Sequence, residues 1–214
     1  MKTYRAFAWK ELFTQKVMSV LILLAVILSS MMTTVVGQSI GTLNAMRQQQ
    51  AAYLNGNRYA TIHQITDEEA DSIMNYSGLS YAEKVINIGT SSIGDGGLSI
   101  LLREYHGNAL SAYESISQLD SGNLPTKAGE IALPQDALSL LGFKGGIGDS
   151  ITLDLSVSLM QDTEVPYNYS RDFILTGILK PNYISYVSGL VSGIAGVGTA
   201  EKLLPEKYLL YSVD

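Results

Sequence analysis

The chain has 214 residues, with 14 basic and 20 acidic side chains, a formal net charge of −6, two histidines and no cysteine. The acidic balance argues against nucleic acid as a partner, and without cysteine there is no disulfide framework, thiolate nucleophile or cysteine–zinc site. The length allows an apolar segment plus one domain of ordinary size, or two small lobes, a single domain being the expectation.

At the N-terminus Tyr4, Phe7, Ala8, Trp9, Leu12 and Phe13 are interspersed with Lys2, Arg5, Lys10 and Lys16, with Glu11 the sole acid. The spacing predicts a cytoplasmic interfacial amphipathic helix over residues 1–16, its Trp and Tyr at headgroup depth and its lysines on the anionic leaflet. A plain extension of the following helix is the alternative.

From Val17 to Met46 no side chain is charged, and the first part, VMSVLILLAVILSSMMTTVV, is almost wholly apolar. About twenty such residues at 1.5 Å each cross a hydrocarbon core of about 30 Å, so residues 17–54 are expected to form a transmembrane helix and stalk. The stalk would cover roughly Gln38 to Leu54, including the helix-forming RQQQAAYL. A cleaved signal peptide competes, but its apolar region spans only about 7–15 residues and ends at a small-x-small site; retention of the helix is the expectation. Basic flanks stay inside, which puts the N-terminus in the cytoplasm. Beyond the span remain 10 basic and 19 acidic residues (14 − 4 and 20 − 1), a net charge of −9 outside.

Residues 55–214 read as a mixed α/β, β-rich domain, giving an α+β fold class behind one N-terminal transmembrane helix. Asn55-Gly56-Asn57 ends the stalk, and a strand is expected over Tyr59 to Gln64. Thr66-Asp67-Glu68-Glu69 matches a capping box and opens a helix to about Tyr76. YAEKVINIG and GLSILLREY, separated by the turn-rich Thr90 to Gly97, predict a hairpin. Ala109 to Leu119 is helix-compatible and ends at the turn Asp120-Ser121-Gly122-Asn123. Gly129 to Pro134 predicts a short strand, Gln135 to Leu141 a short helix closed by Gly142. The alternation of Ile151, Leu153, Leu155, Val157 and Leu159 predicts a strand within Ile147 to Leu159, with Arg171 to Leu179 as its partner. Tyr183 to Ala200 is uncharged, glycine-rich and carries Gly189 and Gly193 as GxxxG; a glycine-rich loop or weak helix is expected, since the run is short and polar for a membrane span. Tyr208 to Val213 closes the chain as a strand.

Chemical motifs are sparse, and no catalytic, cofactor-binding or metal-binding residue is assigned. His63 and His106 fall in separate contexts with no metal-ligand spacing, and no GxSxG elbow occurs. Asp67, Glu68, Glu69 and Asp71 read as a solvated helix N-terminus. The glycine-rich stretch Gly142 to Ser150 lacks the Lys-Ser/Thr pair of a phosphate loop and presents Asp149 instead, so it reads as a turn. The thirteen tyrosines are expected mainly to fill sheets, an exposed binding cluster being the other use.

One order of motifs stands out: Gly122 with Pro125, Glu130-Ile131, Leu141-Gly142, Gly148-Asp149-Ser150-Ile151, and Phe173 to Ile178. Together with the basic N-terminus and single span, this resembles the FtsX-like permease family of ABC transporters, and within it the MacB-like extracytoplasmic domain. The resemblance covers Lys2 to about Lys180 and its motifs are structural: Gly148-Asp149 a turn, Glu130 the start of an edge of the β-domain. It implies a polypeptide without enzymatic activity of its own, working with a cytoplasmic ABC ATPase, a second permease copy or homologous subunit, and the lipid bilayer. It also implies export, extraction or signalling involving peptides, lipoproteins or other amphiphiles. Family members continue to three further transmembrane helices, so the chain is expected to be the N-terminal part of such a permease. A single-pass sensor or binding module without an ATPase is the alternative, and a membrane-tethered enzyme a third.

Overall fold

The computed structural model describes residues 2–14, 16–56, 60–94, 97–160 and 166–213. Asn57, Tyr59, Asp95 and Gly96, which the sequence places in turns or at a strand start, lie outside the described residues. The chain divides into two units, 1–50 and 51–214.

The first unit is helical. Helix α1 spans Lys2–Thr14 and α2 spans Lys16–Asn55, a run of 40 residues or about 60 Å at 1.5 Å per residue. Among the described residues α2 alone is long and apolar enough to cross a membrane, with mean hydropathy 2.4 in its apolar stretch. Its apolar side chains from Val17 to Met46 are exposed. Its hydroxyls bond within the helix: Thr33 Oγ1 donates to the Ser29 carbonyl at 2.9 Å, Ser39 Oγ to Val35 at 2.8 Å and Thr42 Oγ1 to Gln38 at 2.9 Å. Hydrocarbon offers no partners, so this internal bonding is what a polar residue in a span needs. Helix α1 covers the segment expected as an interfacial helix, and its Phe7 and Trp9, two positions or roughly 200° apart, fall on nearly opposite sides.

The second unit is strand-rich. Strand β1 (Ile62–Ile65) leads into α3 (Asp67–Met74), followed by β2 (Lys84–Ile93), β3 (Leu98–Tyr105), a 3₁₀ turn (Ala109–Ala112) and α4 (Glu114–Ser117). Then come β4 (Leu119–Gly122), β5 (Glu130–Pro134), α5 (Gln135–Leu140), β6 (Ser150–Val157) and β7 (Tyr167–Leu179). The chain finishes with α6 (Tyr183–Val187), β8 (Leu190–Ala195), α7 (Thr199–Leu203), a 3₁₀ turn (Glu206–Tyr208) and β9 (Tyr211–Val213). The sheet runs β1-β9-β2-β3-β8-β5-β7-β4, and β6 pairs with both β7 and β2. Six strands, β2-β3-β8-β5-β7-β6, therefore close into a ring, joined at Thr90↔Ser156.

Local signals act as read at several places. Thr66 Oγ1 accepts from the Glu69 N–H, and the Glu69 carboxylate accepts from the Thr66 N–H at 2.9 Å, completing the capping box. Past α5 the Phe143 N–H reaches the Leu138 carbonyl and the Gly142 N–H reaches Ser139, with Gly142 at φ 72°; this is a Schellman stop, which needs a left-handed residue at that point. Along β6 the side chains alternate, with Ile151, Leu153, Leu155 and Val157 buried.

The main core joins those residues to Ile86, Ile88, Ile100, Leu102, Ile131, Leu133, Phe173 and Leu175, with Ala70, Ala137 and Ala200 of α3, α5 and α7 against it. A smaller cluster on the other face holds Val85, Tyr105, Tyr113, Ile116, Ala132 and Ile194, roofed by the segment 109–117. That segment is two short helical turns rather than one helix to Leu119. Asp120 to Gly122, expected as a turn, pairs with β7 as an edge strand. The hairpin turn is shorter than Thr90 to Gly97, because β2 continues to Ile93.

Two further corrections concern the interior of the sheet. Within Tyr183 to Ala200, residues 190–195 are neither loop nor helix but strand β8, parallel to β3 and antiparallel to β5. Its glycine is there for space, since a Cβ on Gly193 would stand 2.6 Å from Leu133 Cδ2 and 3.2 Å from Leu102 Cδ1. Glu130 does not begin an edge: β5 lies between β8 and β7, and the Glu130 carboxylate accepts from the Thr126 and Lys127 N–H groups at 2.9 and 3.0 Å. Those backbone bonds hold its pKa below the usual carboxylate range.

Candidate functional site

Of the acidic residues at the start of α3, Asp67 and Asp71 are not merely solvated. Both meet Lys84 Nζ of β2, at 2.5 and 2.6 Å, and the Lys84 side chain is only 14% exposed. Burial pushes the ammonium down, but the two carboxylates outweigh it and raise its pKa. The pair pins α3 to the sheet.

A second charged group is fully buried. Glu104 of β3 shares the core face with Ile100 and Leu102 and has no solvent exposure. Its carboxylate accepts from the Gly198 and Ala200 N–H groups at 2.8 Å each, and His106 Nε2 lies 2.8 Å from its Oε1. Burial pushes the carboxyl pKa up, yet His106 and the two backbone donors together bring it below the ordinary value. A buried carboxylate with such partners anchors the start of α7, a structural use. The clue in the sequence is a glutamate two positions after Leu102 in an apolar strand of period two, on the core side.

The two histidines are not brought together. His106 follows β3 and serves Glu104, whereas His63 lies on β1, separated from β3 by β9 and β2, its Nδ1 3.2 Å from Ser212 Oγ. Among the described residues no group of three His, Asp or Glu could hold a metal ion. The loop Gly142 to Ser150 is the turn expected of it: Asp149 Oδ2 accepts from the Gly146 N–H at 2.7 Å. Tyrosines stack within the domain, with Tyr167 5.3 Å from Tyr169 and 5.2 Å from Tyr208 between ring centres.

A cleft of about 310 Å³ with both polar and apolar lining lies beside the smaller cluster. Its floor is Val85 and Asn87 of β2 with Arg103 of β3 and Tyr113; its walls are His63 and Gln64 of β1, Val157 at the end of β6 with Ser158 to Met160 after it, and Tyr208, Leu210 and Ser212. Asn87 and Arg103 stand directly opposite each other in the hairpin. Gln64 ties two walls, its Nε2 donating to the Ser158 carbonyl at 3.1 Å and its Oε1 accepting from the Met160 N–H at 2.6 Å. It does so from φ 55°, the one left-handed non-glycine residue described, a costly conformation that the double bond offsets. The His63–Ser212 pair lines this cleft, but no carboxylate among the described lining residues orients the imidazole, so it forms a polar wall rather than a hydrolytic triad. Sequence reasoning did not find the cleft, because its residues come from six separate stretches.

No protein-family model and no curated protein matches the chain. Among solved structures it is similar to the periplasmic region of MacB from Actinobacillus actinomycetemcomitans, with 13% identity and a TM-score of 0.41 over 71% of this chain and 64% of that one. The chain thus spans less than two thirds of that structure's length.

Proposed function

We propose that this chain is the N-terminal part of an ABC-transporter permease subunit of the FtsX/MacB type. In this reading α2 retains its place in the plasma membrane with the basic N-terminus in the cytoplasm, and residues 55–214 form an extracytoplasmic MacB-like domain. A separate ATPase draws the spans together, and the stalk relays that movement to the domain. The action would be export, extraction or signalling involving peptides, lipoproteins or other amphiphiles.

What supports the reading is that the motif residues, scattered from Gly122 to Ile178, meet around β7. Gly122 pairs with Gly177, Ile131 with Leu175 and Ile151 with Phe173. The Gly148 N–H reaches the Leu175 carbonyl at 2.7 Å, and the Leu175 N–H reaches Asp149 at 3.0 Å. Residues with one common structural task account for their fixed order better than chance recurrence does. The helix unbroken from Lys16 to Asn55 is long enough to cross a bilayer and continue beyond it.

The test is co-purification. The chain is expressed with its genomic neighbours, extracted from membranes in mild detergent, and its partners are identified by mass spectrometry. Recovery of an ATPase bearing Walker motifs with a multi-span partner or longer form is expected; recovery of the chain alone would favour a single-pass sensor or binding module.

A further inference from the structure

We propose that the cleft between β1, β2, β3 and the end of β6 binds the carboxyl terminus of an apolar peptide, with Arg103 as counter-charge to the carboxylate and Asn87 accepting from the terminal amide N–H. The first observation is the isolation of Arg103. Arg103 is half-buried and lines the cleft, and it has no ion-pair or hydrogen-bond partner among the described residues. Acids outnumber bases 19 to 10 beyond the span, yet no Asp or Glu is among the described lining residues. A partly desolvated cation without a counter-charge is costly, and an arriving anion relieves that cost.

The second observation is Asn87. Its Oδ1 is buried and takes no hydrogen bond from the described residues, an unmet acceptor directly across the hairpin from Arg103. Opposed residues in an antiparallel pair hold their Cβ atoms about 5 Å apart. A ligand that satisfies both must therefore carry a negative charge and a donor close together. The last residue of a peptide does so: its carboxylate and its amide N–H flank one carbon. A fatty carboxylate supplies the charge without the donor.

The remaining surface decides the body of the ligand. Val85, Val157, Leu159 and Leu210 line the same space and suit an apolar terminal side chain. A volume of about 310 Å³ is at the lower end for ligand sites, room for a terminal residue or two. This binding needs only the folded domain, so it stands or fails separately from any ATPase coupling.

The experiment uses the full chain in lipid nanodiscs and fluorescein-labelled Ala-Leu-Leu, read by anisotropy against empty nanodiscs, with the C-terminal amide of the same peptide and decanoate as competitors. The free acid is expected to bind saturably, the amide at least tenfold more weakly, and decanoate to compete poorly. Arg103→Gln should lose at least tenfold with an unchanged melting curve, and Arg103→Lys should recover part of that loss. Asn87→Asp, which supplies Arg103 with an internal carboxylate, should also abolish binding. Equal affinity for acid and amide would overturn the proposal, as would effective displacement by decanoate or the absence of saturable binding. The acid–amide comparison requires no variant, so a misfolded mutant leaves the question decidable.

Discussion

The Tyr169 hydroxyl on β7 donates a 2.7 Å hydrogen bond to the Ile88 carbonyl on β2. Ile88 is the residue the β2–β3 register skips, between Asn87↔Arg103 and Gly89↔Leu102. At this bulge β2 exchanges one outer neighbour for another: residues 84–86 pair with β9, and Thr90 pairs with β6. A bulge interrupts the ladder and leaves a residue unpaired, and the tyrosine supplies the missing donor. Burial pushes its pKa up, which keeps the hydroxyl protonated.

Replacing Tyr169 by Phe should therefore leave the Ile88 carbonyl without its partner. The expected cost is about 1–2 kcal/mol, or a midpoint lower by roughly 2–8 °C for a domain of this size. Thermal unfolding followed by circular dichroism checks it, and an unchanged midpoint would remove the bond from the account of the bulge.

Glu104 should make stability depend on acid. Its folded-state pKa is lowered, so the stabilisation it contributes is complete above its ordinary unfolded value and is lost as pH falls through the folded one. Glu104→Gln should cost about 2–3 kcal/mol at neutral pH. The gap between the variant and the natural protein in urea midpoint should then narrow as pH falls through the acid range. A gap independent of pH would mean that the carboxylate's charge does not matter there.

Glycines separate into two kinds. A Cβ at Gly196 would lie 2.1 Å from the Lys127 carbonyl oxygen and 2.9 Å from the Lys127 nitrogen, backbone atoms that cannot swing aside, whereas at Gly41 of α2 nothing lies within 4 Å. Gly196→Ala should cost about 3 kcal/mol, while Gly41→Ala should leave the domain's stability unchanged. Urea unfolding of both variants makes the comparison.

Membrane insertion can be tested without disturbing the domain. Leu24 and Val26 are 48% and 63% exposed, and arginine at the centre of a span costs about 2.5–3.5 kcal/mol per residue. The double change Leu24→Arg with Val26→Arg should move the chain out of the carbonate-resistant membrane fraction; undiminished integration would refute α2 as the anchor.

Short-range physics was legible in the residues themselves. An uncharged apolar run commits to helix because its backbone bonds close within four residues; Thr66 with Glu69, Gly142 after α5 and the alternation of β6 act over equally short distances. Such features need no knowledge of neighbours. Strand β8 shows where that limit lies: the run Tyr183 to Ala200 that contains it reads as polar and glycine-rich in isolation, and only contact with Leu133 and Leu102 makes Gly193 a necessity. The same holds for Glu130, whose strand is interior because β7 and β8 flank it, and for Glu104, whose charge is tolerated because Gly198 and Ala200 arrive from more than ninety positions away. The cleft is the extreme case. Gln64, Asn87, Arg103 and Ser158 carry no shared spacing, and the ring closure that brings β6 against β2, together with the pairing of β1 on β9, makes them one surface. Local propensity determined which segments became helix and which alternated, whereas non-local pairing, which depends on loop closure across the whole domain, decided which strands became interior and where a cation was left without a partner among the described residues.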